Sequence, residues 1–543
     1  MVKYFVVLST LLIIFVEPAK TQNTAAFEKD LDKYASLLKL PTLAVGVAQG
    51  DNLIFFKGVG FADSLKKEPI SKEHIFTIAS ITKSFTAAVL ESLEAEGKLS
   101  LSDPVDKYPN KYFTKERWDN TTTLAHIISQ TAESEPPGNC FVYNGSKYNV
   151  VFNAFSYLNK NDSVPLTRPF TKEIEKRILE PLGMTHTLAM YREADHASLK
   201  PFVVPSYNFD KATGRYTVKR NDISKMESGP GYGMMSSVAD LVKYSNALDK
   251  GQIISKERYK IITTPFYKGS PYGMGWFTTL FEGLEMHWAY GYGNNDAALV
   301  LKIPAKNLTL VLLSSCDMPS ATLWLGYGNP LNSPVVTSFI RNFVLHQKGI
   351  DYFNSDIQST EKNIAVATQR SRSRIFVEES YAYAQLLIDM PSALQPDTTL
   401  ANNLLEYLVE KYPNDPVWGT PSAFELYVKT ANQKIMQFAL GKVNDPNVMK
   451  TCHPFNIYLA GQVNEKMGKI DKAMELYRRL ASGDSFREQG AKFGALLKLG
   501  KYYKESDAAF SKTCLEKLVR FKEYIGAKDD QYKEAKKMLE ENK

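Results

Sequence analysis

Two blocks of the chain contain short apolar runs, bounded by turn residues, that are typical of β-strands. The first block, LAVGVAQGDNLIFFKGVGFAD at residues 43–63, predicts two strands joined by a Gly-Asp-Asn turn. The second block, HWAYGYGNNDAALVLKIPAKNLTLVLLSS at residues 287–315, predicts two more strands around a turn near Pro304 to Asn307. Helix-like stretches lie between the blocks. We therefore expect one antiparallel sheet that is built from both ends of a domain and flanked by helices.

The apolar spacing changes beyond Asp351, where it is almost wholly that of helices. A chain of 543 residues is expected to form two or three domains. The change of pattern predicts a first domain at residues 26–348, a linker at 349–362 and an all-α region at 363–543.

One segment of the helical region has the spacing of a repeat. IYLAGQVNEKMGKIDKAMELYRRLASGD places Gly461, Gly468, Ala473 and Tyr477 at positions that resemble a tetratricopeptide repeat. Only one copy is clear, and a generic helical bundle is the alternative. Such repeats usually bind or pack rather than catalyse, so this region is a candidate site for a protein partner.

The N-terminus has the layout of an export signal. Lys3 is followed by the apolar run YFVVLSTLLIIFV and by small residues at Ala19 and Thr21. This layout predicts a signal peptide at residues 1–22 and a secreted or periplasmic protein. An uncleaved N-terminal anchor is the alternative. The apolar run is short for a bilayer span of roughly 20 residues, so we expect no stable membrane anchor.

Charge and cysteine content narrow the class of protein. The formal net charge is +7, from 66 basic and 59 acidic residues, and no long basic run is present. A nucleic-acid partner is therefore not expected. Four cysteines in a chain of this length are too few for a disulfide scaffold, and their pairing cannot be read from the sequence.

Ser80 and Lys83 stand three residues apart where the apolar IFTIA stretch passes into an amphipathic helix that ends at Gly97. Residues at this spacing share a helix face. Burial lowers the pKa of a lysine, and a serine beside a neutral amine can become a nucleophile. The alternative for an isolated motif is a serine N-cap and a solvated lysine. The same SxxK pattern also occurs at Ser36, Ser64 and Ser359.

Several further motifs follow Ser80 in a definite order. They are TLAHIISQTAES, PPGNCFVYNGSKYNVV, ILEPLGMTHT, GPGYGMMSSVADLVKYSNAL and YGMGWF. With the Ser80 segment they resemble the serine β-lactamase-related family, which contains class C β-lactamases, low-molecular-mass penicillin-binding peptidases, D-aminopeptidases and related esterases. The resemblance covers about Phe27 to Leu345. It implies an α+β fold with an antiparallel sheet flanked by helices, followed here by the all-α repeat-like region.

The resemblance implies roles for three residues. Ser80 matches the nucleophile that forms an acyl-enzyme, and Lys83 matches the neighbouring base. Tyr143 matches the tyrosine whose phenol assists proton transfer, with a core tyrosine as the alternative. The family commonly carries Tyr-x-Asn at this motif, whereas here the third position is Gly145 and Asn144 lies one place early. The amide that would contact the substrate is therefore missing or displaced.

The third motif of the family, usually Lys-Thr-Gly or His-x-Gly, also departs from the pattern. Counting back from Pro304, its positions fall on Ala289, Tyr290 and Gly291. His287 lies on the same strand face two residues earlier and is a candidate for the cleft, with an exposed structural histidine as the alternative. Gly291 permits close approach of a substrate, and the backbone N–H near Tyr292 is a candidate oxyanion donor together with that of Ser80.

These residues predict an exported serine hydrolase that acts on a small-molecule or peptide substrate with an ester or amide bond. The missing cation of the third motif argues against an enzyme that reads a terminal carboxylate. The sequence contains no GxSxG, HExxH or GxxxxGK[ST] motif, so no cofactor or metal is implied. The alternative is a catalytically weak or inactive penicillin-binding-like protein that binds a cell-wall fragment or a protein.

Overall fold

A computed structural model gives the conformation of most of the chain. The residues it describes are 23–63, 67–108, 120–134, 136–159, 167–219, 226–293, 295–347, 375–446, 453–482, 489–524 and 526–541. The predicted signal peptide at 1–22 and the predicted linker at 349–362 lie outside the described residues. The division of the chain at these points therefore stays a prediction.

The central element is an antiparallel sheet, with strand order β3-β2-β1-β11-β10-β9-β8. Two short strand pairs, β4 with β7 and β5 with β6, lie outside it. The strands are β1 (Thr42–Gln49), β2 (Asn52–Asp63), β3 (Glu68–Pro69), β4 (Phe76–Thr77), β5 (Ser206–Asp210), β6 (Arg215–Lys219), β7 (Met235–Ser236), β8 (Phe277–Phe281), β9 (Leu284–Gly293), β10 (Asp296–Ile303) and β11 (Leu308–Ser314).

The sheet joins the two ends of the domain, as the two strand-like blocks predicted. β1 pairs antiparallel with β11, with Val45 opposite Leu312. The second sequence block differs from the prediction in one respect, because it contains three strands rather than two. The chain reverses between Gly293 and Asp296, so the stretch before Pro304 is divided between β9 and β10.

Helices surround this sheet and form most of the C-terminal part. The first group is α1 (Thr24–Leu37), α2 (Thr82–Ala95), α3 (Leu124–Ile128), α4 (Phe152–Asn159), α5 (Thr167–Ile174), α6 (Glu180–Leu182), α7 (Glu193–His196), α8 (Val238–Lys250), α9 (Lys256–Thr263), α10 (Met318–Ala321) and α11 (Pro334–Phe339). The later helices are Ile375–Asp389, Thr398–Lys411, Pro421–Lys429, Gln433–Val443, Pro454–Lys466, Ile470–Ala481, Gln489–Tyr502, Ala508–Tyr524 and Asp530–Glu541. Within the described ranges, none of these helices is both long and apolar enough to cross a membrane.

The two faces of the sheet have different cores because side chains alternate along each strand. On β11, Val311 and Leu313 belong to a core with residues of α2 and α8. Leu310 and Leu312 point to the opposite face and share a core with α1, α11 and the C-terminal helices. Helix α2, which begins two residues after Ser80, therefore lies on the face opposite to α1 and α11.

A buried ion network connects three parts of the chain. The Arg341 guanidinium, in the π-helical continuation of α11, donates to Asp30 of α1 at 2.5 Å and to Glu379 of helix Ile375–Asp389 at 2.8 Å. Arg341 and Glu379 are both buried. The C-terminal helices are thereby held against the helices that cover the sheet.

The segment with repeat-like spacing forms two packed helices, Pro454–Lys466 and Ile470–Ala481, joined at Gly468. The Tyr477 ring lies against Gly461, where an added Cβ would come within 2.4 Å of the ring. The next two helices also form a pair, with Gly500 packed against Leu515. The helical character of this region is confirmed, whereas the tetratricopeptide assignment stays a prediction.

Candidate active site

Ser80 lies in the short connection between β4 and α2. The 3-10 segment Ala79–Ile81 carries it, and α2 begins at Thr82. Ala79 has a φ of +41°, in the left-handed region that non-glycine residues rarely adopt. The Thr82 hydroxyl donates to the Ala79 carbonyl at 2.7 Å, which holds this conformation. The backbone immediately before Ser80 is therefore strained, as is common beside functional residues.

Lys83 lies one helical turn after Ser80, and its Nζ is 2.8 Å from Ser80 Oγ. The same amine donates to the Gly231 carbonyl at 2.7 Å. Its side chain is buried, with 1% of its surface exposed, and both of these partners are uncharged. Desolvation therefore lowers the pKa of Lys83 to about 7. Near neutral pH a large share of Lys83 is a neutral amine that can accept a proton.

The loop that holds Lys83 is a part of the site that sequence reasoning missed. Asn149 Oδ1 accepts from the Gly231 N–H at 2.8 Å, and the Thr86 hydroxyl donates to the Pro230 carbonyl at 2.7 Å. An added Cβ on Gly231 would lie 2.9 Å from the Gly145 carbonyl oxygen. The motif GPGYGMM marked this loop, but the contact is made by a backbone carbonyl, which no side-chain pattern reveals.

The Tyr143 hydroxyl interacts with the hydroxyls of Ser80 and Tyr290. Burial raises the pKa of Tyr143 to about 12, and these two hydroxyls offset part of the rise. Tyr143 is therefore a protonated phenol at neutral pH and a hydrogen-bond donor next to Ser80. Tyr290 was not predicted as a site residue, since the motif comparison gave its position no role.

The Asn144 side chain and the position where a side chain at residue 145 would begin face different neighbours. The Asn144 side chain accepts from the Lys147 N–H at 3.0 Å and donates to Glu133 at 3.3 Å, so its amide stabilises the local turn. A Cβ added to Gly145 would lie 3.7 Å from Lys83 Nζ. The amide that the sequence assigned to substrate binding is thus used by the fold, while the position that faces Lys83 has no side chain.

Gly291 allows two backbone segments to approach each other. A Cβ at this position would come within 2.3 Å of the Ile78 carbonyl oxygen, in the segment that leads to Ser80. The close approach that Gly291 permits is thus that of this segment, and a contact with substrate stays a prediction. Tyr292, the next residue on β9, is half-exposed and borders a cavity with Asp317.

His287 is placed differently from both sequence hypotheses. It is buried rather than exposed, and its contacts are not with the Ser80 cluster. Its Nδ1 is 3.1 Å from the Tyr259 hydroxyl, and its Nε2 is 2.5 Å from Glu285 Oε1. The strand alternation was read in the right phase, but α9 packs over this end of β9 and encloses the imidazole. We therefore do not assign His287 to the cleft.

Ser80, Lys83 and Tyr143 thus place a hydroxyl, a readily neutral amine and a protonated phenol in one cluster. These are the groups that a serine nucleophile with an adjacent base requires. Within the ranges that the structure describes, no group of three His, Cys, Asp or Glu side chains is positioned to hold a metal ion.

The fold and this cluster belong to one class of protein, the serine hydrolases related to β-lactamases and penicillin-binding proteins. The family model of the beta-lactamases matches residues 27–323, which is more than half of the chain. The chain therefore belongs to the beta-lactamase family. This confirms the resemblance carried by the ordered motifs, and the match ends before the C-terminal helices.

Individual relatives are distant. A beta-lactamase of Pseudomonas fluorescens is 25% identical over 338 residues, which cover 51% of this chain and 89% of that protein. A putative penicillin-binding protein of Bacillus subtilis is 26% identical over 264 residues, covering 42% of this chain and 60% of that protein. Among solved structures, the octameric penicillin-binding protein homologue from Pyrococcus abyssi is 21% identical, with a TM-score of 0.49 over 60% of this chain and 78% of that chain.

Proposed function

We propose that this protein is an exported serine hydrolase that cleaves an ester or amide bond through an acyl-enzyme on Ser80. The observation that carries the proposal is the pairing of Ser80 Oγ with Lys83 Nζ at 2.8 Å, in surroundings that lower the pKa of the lysine to about 7. A serine becomes a nucleophile when a neutral base of this kind stands next to it.

In the acylation step, Ser80 Oγ attacks the substrate carbonyl carbon while Lys83 accepts the hydroxyl proton. The bond to the leaving group then breaks, and Tyr143 donates the proton that the leaving alcohol or amine needs. Acylation thus leaves Lys83 as an ammonium and Tyr143 as a phenolate, both next to the Ser80 oxygen. Water then attacks the acyl carbonyl carbon and gives a proton to the Tyr143 phenolate, while the bond to Ser80 Oγ breaks and the Lys83 ammonium returns its proton to Ser80.

The developing negative charge on the carbonyl oxygen requires donors that are fixed in advance. We assign this role to the backbone N–H groups of Ser80 and of the β9 segment near Tyr292. The packing of Gly291 against Ile78 supports the assignment, because it holds β9 close to the Ser80 turn.

The substrate class follows from what the site lacks. Position 145 is a glycine and position 289 is an alanine, where the resemblance expects an amide and a cation or imidazole. These replacements leave no polar or charged side chain at either position to bind a substrate carboxylate. We propose a small or peptide-like ester or amide that does not need a free carboxylate for recognition.

Export is supported by the state of the cysteines. Cys140 is disulfide-bonded, whereas Cys316 and Cys514 are free and buried. Disulfides form and persist in oxidising compartments such as the bacterial periplasm. The expected result is a mature protein whose mass lacks residues 1–22 and in which Cys140 reacts with iodoacetamide only after reduction. Recovery of the full-length chain with a reactive Cys140 from the cytoplasm would contradict export.

A non-catalytic binding protein is the second candidate. It is favoured by the departures at Gly145 and Ala289, which remove side chains that the family uses around the serine. Such a protein would keep the cleft but would not form an acyl-enzyme at a useful rate.

Intact-mass labelling with a fluorophosphonate separates the two candidates. We expect wild type to gain one adduct, Ser80→Ala to gain none and Lys83→Ala to react slowly. Ser36→Ala is the matched control, because Ser36 and Lys39 repeat the SxxK spacing at an exposed position. Ser36→Ala should label like wild type. A folded wild-type protein that gains no adduct would refute the hydrolase and favour the binding protein.

A further inference from the structure

We infer that the C-terminal helical region forms one wall of the active-site cleft and gives the hydrolase a subsite for an apolar, preferably aromatic, group of its substrate. The inference rests on the proposed function of Ser80. It is carried by a cavity of about 240 Å³ beside Tyr143. The lining residues are Tyr143, Trp324, Gly326 and Tyr327 from the first part of the chain, and His453 and Phe455 from the helical region.

Tyr143 connects the cavity to Ser80. The hydroxyl of this tyrosine interacts with Ser80, and the same residue lines the cavity. A substituent on the carbonyl that Ser80 attacks therefore passes Tyr143 and reaches the space in front of Phe455. His453 precedes helix Pro454–Lys466, so the wall is built by the start of that helix.

The lining is uncharged at neutral pH. Desolvation lowers the pKa of His453 to about 4, so its imidazole is neutral. Burial raises the pKa of both Tyr143 and Tyr327, which stay protonated. Four aromatic rings and a neutral imidazole favour a flat apolar group and provide no ion pair for a carboxylate.

The helical region also stabilises the other side of the cavity, which the Trp324–Tyr327 segment forms. The Tyr327 hydroxyl donates to Glu425 at 2.9 Å. The Lys429 ammonium lies 4.4 Å from the centre of the Trp324 ring, a cation–π contact. Both Glu425 and Lys429 belong to helix Pro421–Lys429. Their contacts keep the Trp324–Tyr327 segment in place opposite Phe455.

The packing of the Trp324–Tyr327 segment against Tyr290 requires a glycine at position 326. An added Cβ at this position would lie 2.8 Å from the Tyr290 hydroxyl oxygen, which itself interacts with Tyr143. A side chain here would displace the Tyr290 hydroxyl and with it the contact that Tyr290 makes with Tyr143.

Ester selectivity tests the subsite. The test measures kcat/KM of the full chain for p-nitrophenyl acetate and for p-nitrophenyl phenylacetate, in wild type, Phe455→Ala and Phe455→Leu. Loss of the ring should lower kcat/KM for the phenylacetate ester roughly tenfold, mainly through KM, and change the acetate ester less than about twofold. Phe455→Leu should give an intermediate loss, since it retains part of the apolar surface and is less disruptive to folding.

The matched control is Phe510→Ala. Phe510 is a partly buried aromatic residue of the same helical region, packed against Tyr503 and away from the cavity. It should leave the ratio of the two esters unchanged. Equal effects of the Phe455 variants on both esters, at wild-type thermal stability, would overturn the subsite. Absence of fluorophosphonate labelling at Ser80 in wild type would instead overturn the proposed function on which it rests.

Discussion

At the residue scale, the protonation of Lys83 should control the rate of the reaction. Only the neutral amine accepts the Ser80 proton, and its pKa is about 7. The rate of fluorophosphonate labelling should therefore rise with pH and level off above about pH 8. At pH 5 it should be roughly a hundredfold below the plateau, because each unit below the pKa reduces the neutral fraction tenfold.

The control for this profile is Lys83→Arg. Arginine keeps the positive charge at every accessible pH, so labelling should stay slow and should not recover at pH 9. A wild-type rate that is flat between pH 5 and 9 would show that Lys83 is not the base.

Gly145 allows a second test at single-residue scale. A side chain at this position would point toward Lys83, so Gly145→Asn should place an amide in the cleft. One additional hydrogen bond to an amide substrate should raise kcat/KM by roughly 2- to 10-fold. Hydrolysis of a series of amino-acid p-nitroanilides measures the effect. Gly145→Ala is the control, and an equal gain in both variants would attribute the change to the backbone instead.

Site residues could be predicted from the sequence where each belongs to a motif that has a fixed place in the fold. Ser80, Lys83 and Tyr143 are such residues, and the structure brings them together. His287 was judged from strand alternation alone, which gives the face of a sheet but not the helix that covers it. The Gly231 carbonyl could not be predicted, since a backbone contact depends on the path of a loop.

At the element scale, strands β1, β2, β9, β10 and β11 lie largely within the two blocks that predicted the sheet, whereas the outer strands β3 and β8 were not predicted. The division between β9 and β10 was missed, although the polar stretch at residues 293–296 between two apolar runs is a turn signal. The partners of the helices were not predictable from their own residues. Arg341, for example, lies in a helix that would be read as an ordinary amphipathic segment.

The ion network of Arg341 should contribute to the stability of the packing between these helices. Arg341→Met removes the cation between Asp30 and Glu379 and leaves two carboxylates close together, one of them buried. We expect a loss of about 3–5 kcal/mol in the free energy of unfolding, measured with urea. Lys472→Met, which breaks the exposed pair with Glu475, is the control and should cost less than about 0.5 kcal/mol. Similar losses in both variants would contradict a structural role for the network.

At the scale of the whole molecule, the C-terminal helical region packs directly against the part of the chain that carries Ser80. Its residues share one apolar core with α1, α11 and one face of the sheet. Nothing in its local spacing could show this, because the same amphipathic helices could bind a separate protein. The helical region also supplies His453 and Phe455 to the cleft. The sequence treated these helices as a separate binding module because long-range docking leaves no periodic signal.

Truncation tests whether the two parts are interdependent. A chain that ends at Gln347 loses the helices that cover α11, so buried side chains such as Val336 and Phe339 would be exposed to water. We expect a lower Tm, increased binding of the dye ANS and slower labelling of Ser80. A chain that ends at Tyr524 lacks only the last helix, Asp530–Glu541, and should retain the cleft wall and near wild-type labelling. If the shorter chain instead keeps the wild-type Tm and labelling rate, the catalytic part folds alone and the helical region is a separable module.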